Sequence, residues 1–182
     1  DGNIQWKINL NGNIMGSIHP IILPGKDSAS LLLNTPTHLY LLNANGSHAD
    51  NFPMRFPLNA TNGLTVIPPK DGDGFRILIA FQDNRIYQFD LEGQSVRDWQ
   101  RPFAGETVIH PVSFLSHGKK NFVAVVGHQG KTLITSAQGT PSVNIKPGFV
   151  NTPYSEIYIN STNRKGTFLT TNAAGKVVFI QE

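Results

Sequence analysis

Cysteine is absent from this chain of 182 residues, which excludes disulfide bonds, thiolate metal sites and cysteine nucleophiles. Charged residues make up only 15% of the sequence. No hydrophobic run approaches the roughly 18 apolar residues that a membrane-spanning helix needs. Residues that form turns are abundant instead, with 17 glycines and 12 prolines. This composition is typical of an all-β protein with many tight turns.

The excess of positive charge is small, with a formal net charge of +3. The basic residues are spread along the chain, and aromatic residues are not interleaved with them. That pattern argues against a stacking platform for nucleic acid, so we expect no nucleic-acid partner. Because the chain starts at Asp1 without an initiator Met, we expect that position to be a boundary made by processing or cloning.

A repeat of about 45 residues runs through the whole chain. A glycine that follows an acidic or amide residue recurs at Gly2, Gly46, Gly93 and Gly139, in steps of 44, 47 and 46 residues. Each repeat contains short β-rich segments separated by turns of hairpin length, and no window shows helical periodicity. The sequence therefore predicts one all-β domain, a β-propeller of four four-stranded blades.

The predicted domain covers residues 1–182, with repeats at about 11–58, 59–103, 104–148 and 149–182, the last completed by residues 1–10. Strands B and C, the second and third of each blade, give the clearest signals. The predicted B strands are Ser30–Thr35, Phe75–Phe81, Asn121–Val126 and Thr167–Thr171. The predicted C strands are His38–Asn43, Arg85–Asp90, Lys131–Ser136 and Lys176–Gln181.

The two ends of the chain are complementary in this pattern. The segment Ile4–Ile8 reads as the fourth, or D, strand that the last repeat lacks. We therefore expect Ile4–Ile8 to pair with Lys176–Gln181 and close the ring, since closure removes exposed sheet edges. The alternative is that the chain is part of a larger propeller, divided from it at a turn between strands C and D. A division at such a turn would leave the same complementary ends.

Several segments resemble a known group of proteins, namely GNIQWKINL, HLYLLNANG, NFPMRFPLNATNGLTVI, NRIYQFDLEGQSV and VIHPVSF. They are similar to the C-terminal propeller repeats of large, uncharacterised exported envelope proteins of bacteria. More distantly, they resemble the quinoprotein-like (PQQ-type) propellers, which include the scaffold lipoprotein of the outer-membrane β-barrel assembly machine. The resemblance implies a periplasmic or surface-exposed location in the bacterial cell envelope and a scaffolding or binding role within a larger protein.

The resemblance carries over no catalytic residue, because the matching positions are turns and core. The quinone-dependent dehydrogenases of that superfamily use a vicinal cysteine pair, which this chain lacks.

One residue at the start of strand C is basic or potentially basic in every repeat. These residues are His38, Arg85, Lys131 and Lys176, in steps of 47, 46 and 45. Their shared position predicts four basic groups around one face of the ring, where clustered positive charge attracts acidic partners. The alternative is that strand starts tolerate solvated long side chains and that repeats copy them without a function.

The connections between blades, from strand D to the next strand A, should lie on the same face. They would bring Asn62, His110 and Thr152 to it. With the four basic positions, these residues form the predicted partner-binding surface, for a protein or an envelope polymer. Loops on a rigid scaffold are where binding residues concentrate.

Polar residues in the central channel support a second hypothesis, an enzyme or a binder of a small ligand or glycan. Its candidate residues are His19, His110 and Glu156. We predict no metal there, because two histidines without a placed carboxylate are too few ligands.

The segment KDGDG resembles part of a calcium loop. It lacks the downstream carboxylate of such a loop, so a hairpin turn is the better interpretation of Asp71 and Asp73. Whether calcium binds at these residues is left open by the sequence.

No catalytic constellation is evident. Most acidic residues fall in predicted turns, and no second carboxylate is placed to work with Glu156 in acid–base hydrolysis. The sequence has no G-x-S-x-G elbow and no phosphate-binding glycine loop. We therefore predict a non-catalytic interaction or scaffold module that uses no cofactor, and the sequence leaves its oligomeric state open.

Overall fold

The computed structural model describes residues 2–70, 74–146, 148–152, 155–160 and 167–181. Asp71 and Asp73 of the predicted hairpin turn lie outside these ranges. The strands are β1 (Met15–Ile22), β2 (Ala29–Asn34), β3 (His38–Leu42), β4 (Met54–Arg55), β5 (Thr65–Ile67), β6 (Arg76–Ala80), β7 (Ile86–Phe89), β8 (Ser113–His117), β9 (Lys120–Val126), β10 (Thr132–Ser136), β11 (Tyr158–Asn160), β12 (Thr167–Thr171) and β13 (Val177–Gln181). Among the described residues, no helix is long and apolar enough to cross a bilayer.

The strands form small antiparallel sheets in chain order. The first sheet is β1-β2-β3-β4, the second β5-β6-β7, the third β8-β9-β10 and the fourth β11-β12-β13. The predicted B and C strands are confirmed to within one or two residues. They are rich in β-branched and apolar side chains, which pack on both faces of most of these strands, whereas alternate residues of β13 are exposed. The all-β, propeller-like arrangement is therefore confirmed.

Consecutive sheets stack face to face through separate hydrophobic clusters. Leu32, Leu39 and Leu41 of the first sheet pack against the second sheet, where Ile79 and Phe81 are fully buried. The second and third sheets meet around Leu78, Ile86, Val123 and Val125, and the third and fourth around Phe122, Ile134, Ile157 and Phe168. Burying each such side chain contributes about 1.5–3 kcal/mol. Stacking of neighbouring sheets is therefore the main source of stability.

The inner strand of the third sheet begins later than predicted. The dipeptides His19-Pro20 and His110-Pro111 predict equivalent starts of the inner strand, at residues 18–21 and 109–112, but β8 starts at Ser113. The carbonyl of Val108 accepts a hydrogen bond from Thr61 Oγ1 at 2.7 Å, which ties this segment to the preceding blade. Pro111 has no N–H with which to pair with β9. His19 lies opposite Leu32 of β2, and Ser113 lies opposite Ala124, which holds the same place in β9. Ser113, not His110, is therefore the counterpart of His19, so the two His-Pro dipeptides are not equivalent.

The first segment of the chain does not pair with the last blade. Residues 2–10 form no strand, and the indole nitrogen of Trp6 donates to the Ala44 carbonyl at 3.0 Å. Ile8 and Leu10 pack on the outer face of the first sheet beside Tyr40. Among the described residues β13 pairs only with β12, and no hydrophobic cluster joins the first and fourth sheets. Closure within one chain is therefore not confirmed, because the first sheet holds the segment that would close the ring.

Candidate functional site

The turns between strands B and C rest on the connections between blades. Gln82 N donates to Asn59 O at 3.0 Å, His128 N to Thr107 O at 2.8 Å and Ala173 N to Val150 O at 3.0 Å. The same backbone bond thus recurs in three successive blades and brings turns and connections to one edge. We name this edge the B–C rim. It comprises the turns at residues 35–38, 82–85, 127–131 and 172–176 and the connections at 56–60, 101–108 and 150–152.

The four basic positions of the sequence analysis lie on the B–C rim. Arg85, Lys131 and Lys176 are exposed, whereas His38 is half-buried. The Nδ1 atom of His38 lies 2.8 Å from the hydroxyl of Thr37, so the imidazole is engaged locally. Three of the four positions therefore present a charged side chain to solvent.

Arg85 is the centre of a patch that the repeat pattern did not reveal. Its Nη1 donates to the Arg101 carbonyl at 3.0 Å, and its Cζ lies 5.5 Å from the centroid of the Phe103 ring. Phe103 is 55% exposed. The Cζ of Arg101 lies 5.0 Å from the ring of Tyr87. Arginine and aromatic side chains are enriched in protein interfaces, and here both types share one patch.

Asp83 organises the turn beneath this patch. Its Oδ1 accepts the backbone N–H of Arg85 at 3.1 Å, and its Oδ2 accepts the phenol of Tyr87 at 2.9 Å. Burial and then the hydrogen bond to Asp83 raise the pKa of Tyr87. The carboxylate therefore fixes the turn from which the Arg85 side chain extends.

Glu106 plays the same role for the turn that carries Lys131. One of its carboxylate oxygens accepts the backbone N–H groups of Gln129, at 3.1 Å, and of Lys131, at 2.7 Å. The Lys131 side chain lies over Gly105, where an added Cβ would come within 2.0 Å of its Nζ. The connection at residues 101–106 thus runs between Arg85 and Lys131 and lines up three cationic side chains, with Arg101 among them.

Two predicted binding residues have structural contacts instead. Asn62 is only 1% exposed. Its Nδ2 donates to His110 O at 2.8 Å and its Oδ1 accepts Ala80 N at 2.8 Å. Thr152 is half-buried, and its hydroxyl donates to Asn172 O at 2.9 Å. Asn62 therefore bridges two blades and is too buried to touch a partner.

Two of the three predicted channel residues share a cavity. His110 and Glu156 line a space of about 250 Å³ between the third and fourth sheets, together with Ser155. His19 does not line it and lies half-buried on β1. Glu156 accepts a hydrogen bond from the phenol of Tyr158, and this bond is the main cause of the raised pKa of Tyr158. No group of three or more His, Asp or Glu side chains arranged to hold a metal ion occurs in the described part of the chain.

A larger cleft of about 720 Å³ opens at the opposite edge, between the second and third sheets. Arg76, Asp98 and Lys119 line it, and Trp99 forms part of its wall. The indole of Trp99 donates to Ile86 O at 2.7 Å and is buried, so this tryptophan packs within the blade. Nothing in the repeat pattern pointed to this cleft, because its lining residues do not recur.

Comparisons with known proteins identify the fold. No protein-family model matches the chain, and no curated protein matches it. Two crystal structures of BBS1N in complex with ARL6DN, one soaked with mercury and one with lead, each share its fold with a TM-score of 0.63 at 15% sequence identity. The alignments cover 97% and 96% of this chain and 55% and 53% of the solved chains. The chain therefore spans about half the length of these structures.

Proposed function

We propose that this chain is a non-catalytic protein-interaction module whose B–C rim binds an acidic protein partner. The observation that carries the proposal is the exposed patch of Arg85, Arg101 and Phe103. A solvent-exposed phenylalanine beside two guanidinium groups offers both apolar area and charge. A few such residues commonly contribute most of the binding energy of an interface.

The fold supports a binding role, since BBS1N was solved in complex with another protein. That likeness is one of fold at 15% identity, so the partner here is inferred from the patch alone. Asp83 and Glu106 hold the turns through backbone N–H groups, which pre-organises the rim and lowers the cost of ordering it on binding. Because the rim is cationic, its charge should govern the association rate more than the final affinity.

We further propose that the module is part of a larger protein of the bacterial envelope, either periplasmic or surface-exposed. The basis is the resemblance of its repeats to exported envelope proteins. An acidic envelope polymer is the alternative ligand for the same rim. A fractionation experiment with an antibody against this chain tests the location, and recovery in the cytoplasmic fraction would contradict it.

The binding proposal is tested by Arg85→Glu, Arg101→Glu and Phe103→Ser on the 182-residue chain. Reversal of the exposed Lys26 and Lys119, which lie away from the B–C rim, is the charge-matched control. Wild type and variants serve as bait in an envelope extract at low and high salt, and captured proteins are identified by mass spectrometry. The rim variants should lose an acidic protein partner that the control retains, with circular dichroism unchanged. Identical partner profiles would refute the proposal.

The cavity at His110 and Glu156 supports a second candidate function, the binding of a small polar ligand or glycan. The observation favouring it is that two of the three predicted channel residues line one space. Glu156→Gln should then weaken the thermal stabilisation given by any ligand found in a screen of sugars and organic acids. If no ligand in the screen raises the melting temperature of the wild type, this candidate fails.

A further inference from the structure

The cleft between the second and third sheets has a buried polar side chain in its wall. Gln88 of β7 lines the cleft although it is only 7% exposed. Within the described part of the chain, its side-chain amide forms no hydrogen bond. Burying an amide without a partner costs free energy, because the amide gives up its bonds to water. The amide of Gln88 is therefore available to a polar group of a molecule bound in the cleft.

The walls of the cleft are held in place by backbone hydrogen bonds. Val96 N donates to Gln88 O at 3.0 Å and fixes the outer segment of the second blade on β7. Gln100 N donates to Gln138 O at 2.9 Å and joins that segment to a turn of the third blade. Both sheets that form the cleft have a neighbouring sheet on each side. The cleft is therefore pre-organised, which lowers the cost of binding.

Cationic side chains line the cleft and favour an anionic ligand. Arg76 is half-buried, and its Nη1 donates only a long hydrogen bond, at 3.5 Å, to the Phe75 carbonyl. Lys70 and Lys119 are exposed beside it, and Asp98 is the one acid among the described residues that line the cleft. A cleft lined mainly by one sign of charge attracts ligands of the opposite sign. The guanidinium group also matches the two oxygens of a carboxylate.

The remaining lining residues suit a ligand with hydroxyl groups and apolar ring faces. Ser116 Oγ donates to Asn121 Oδ1 at 2.8 Å, which orients that amide and leaves its Nδ2 group as a donor. Gln138 contributes a further side-chain amide. Amides both donate and accept hydrogen bonds, as hydroxyl groups do. Phe114 and Trp99 add apolar surface to the same walls.

The lining is less suited to a peptide. Extended peptides commonly bind by adding a strand to an exposed sheet edge, through main-chain hydrogen bonds. The segment of the cleft wall that follows β5 contains Pro68 and Pro69, which have no N–H to donate. Recognition in this cleft therefore depends on side chains.

We propose that this cleft binds an acidic oligosaccharide. A sugar carboxylate pairs with Arg76, hydroxyl groups bond to the amides of Gln88 and Asn121, and the apolar face of a sugar ring rests on Phe114. The volume of about 720 Å³ is within the range of sites that enclose a small ligand. The site lies at the edge opposite to the B–C rim, so a protein bound to the rim leaves it accessible.

The proposal is tested by isothermal titration calorimetry on the 182-residue chain. The ligands are short oligomers of galacturonate, of glucuronate and of sialic acid, each compared with its methyl ester, which keeps the hydroxyl groups but removes the charge. At least one acid should bind about tenfold more tightly than its ester. Arg76→Gln should abolish that difference. Arg97→Gln, at an exposed position outside the cleft, is the matched control and should leave the affinity unchanged.

Gln88→Leu distinguishes a ligand-binding amide from a structural one. Leucine has a similar volume and removes a buried amide that has no partner among the described residues, so the melting temperature should stay the same or rise. Affinity for the acidic oligosaccharide should fall by about fivefold or more. Unchanged affinity together with a lower melting temperature would show that the amide is structural and would overturn its role in the site.

Three other results would overturn the proposal. The first is that no acidic oligosaccharide of the panel binds. The second is that an oligoglutamate peptide of equal charge binds as tightly and loses affinity equally in Arg76→Gln, which would make the ligand an acidic peptide. The third is that Arg85→Glu abolishes saccharide binding, which would place the ligand on the B–C rim. Because the cleft and the B–C rim lie at opposite edges and share no residue, failure here leaves the proposed protein-binding function untouched.

Discussion

Replacing Asn62 by leucine separates a structural role from a binding role at a position that the sequence placed on the partner surface. The buried amide of Asn62 joins Ala80 N and His110 O, each at 2.8 Å. Leucine has a similar volume but makes neither bond. Both backbone groups would then lie in the contact between the second and third blades without this partner.

The magnitude follows from the two lost bonds. A buried donor or acceptor left unsatisfied costs about 1–3 kcal/mol, so the two together cost roughly 2–6 kcal/mol. Burial of the larger apolar side chain offsets about 1 kcal/mol of this. We expect Asn62→Leu to lower the free energy of unfolding by about 1–5 kcal/mol. For a chain of this size, that corresponds to a fall of roughly 2–20 °C in the melting temperature.

The assay is urea unfolding followed by the fluorescence of Trp99, which is buried beside this contact. Asn144→Leu, at an exposed position, is the matched control and should change stability by less than 0.5 kcal/mol or so. Below its transition, folded Asn62→Leu should bind the partner of the B–C rim as the wild type does. A loss of stability under about 1 kcal/mol would refute the bridging role. A stable variant with abolished binding would restore Asn62 to the partner surface.

Three further predictions follow from the packing. Ile134→Ala should cost about 2–5 kcal/mol in urea unfolding, since the side chain is fully buried between the third and fourth sheets. Gly130→Ala should destabilise clearly more than Gly118→Ala in a thermal melt. Both glycines have positive φ, but only at Gly130 would a Cβ meet a backbone oxygen, at 2.2 Å. Asp83→Asn should lower the raised pKa of Tyr87 in an ultraviolet titration of the phenols, since it removes the charge that opposes ionisation. A raised phenol pKa stabilises the fold below about pH 10, and that stability is lost as the pH rises through the raised value. The variant should therefore lose less stability at alkaline pH, and equal losses would contradict this origin of the shift.

Strands B and C could be predicted from the sequence because the same apolar pattern recurs every 45 or so residues and all of these strands except β13 are buried on both faces. The inner strands could not be placed as well. The two His-Pro dipeptides suggested equivalence, yet His19 lies inside β1 while His110 precedes β8. Hydrogen bonds from Thr61 and Asn62 of the preceding blade decide that difference, and a repeat pattern carries no information about such contacts.

The candidate site was predictable only where it recurs. Arg85 and Lys131 were found because a basic residue occupies the same place in each blade. Arg101 and Phe103 occur in one connection only, so their contact with Arg85 emerged from the structure. Asn62 illustrates the opposite error. A polar residue in a connection between blades is predicted to be exposed, but the side chain of Asn62 is buried and forms hydrogen bonds with two backbone groups. Whether such a side chain is exposed depends on which buried backbone groups it must hydrogen-bond, and those groups come together only when the blades stack.

The complementarity of the chain's ends shows the limit of pattern reasoning most directly. Gly2 continues the glycine repeat beyond β13, so the sequence predicts that the segment after Gly2 pairs with the edge of β13. In the structure this segment packs on the first sheet instead, where the indole of Trp6 donates to the Ala44 carbonyl and Ile8 packs beside Tyr40. A repeat pattern identifies a segment that suits a strand edge, but it carries no information about competing contacts of that segment. Pairing of residues 4–8 with β13 within one chain is therefore not confirmed.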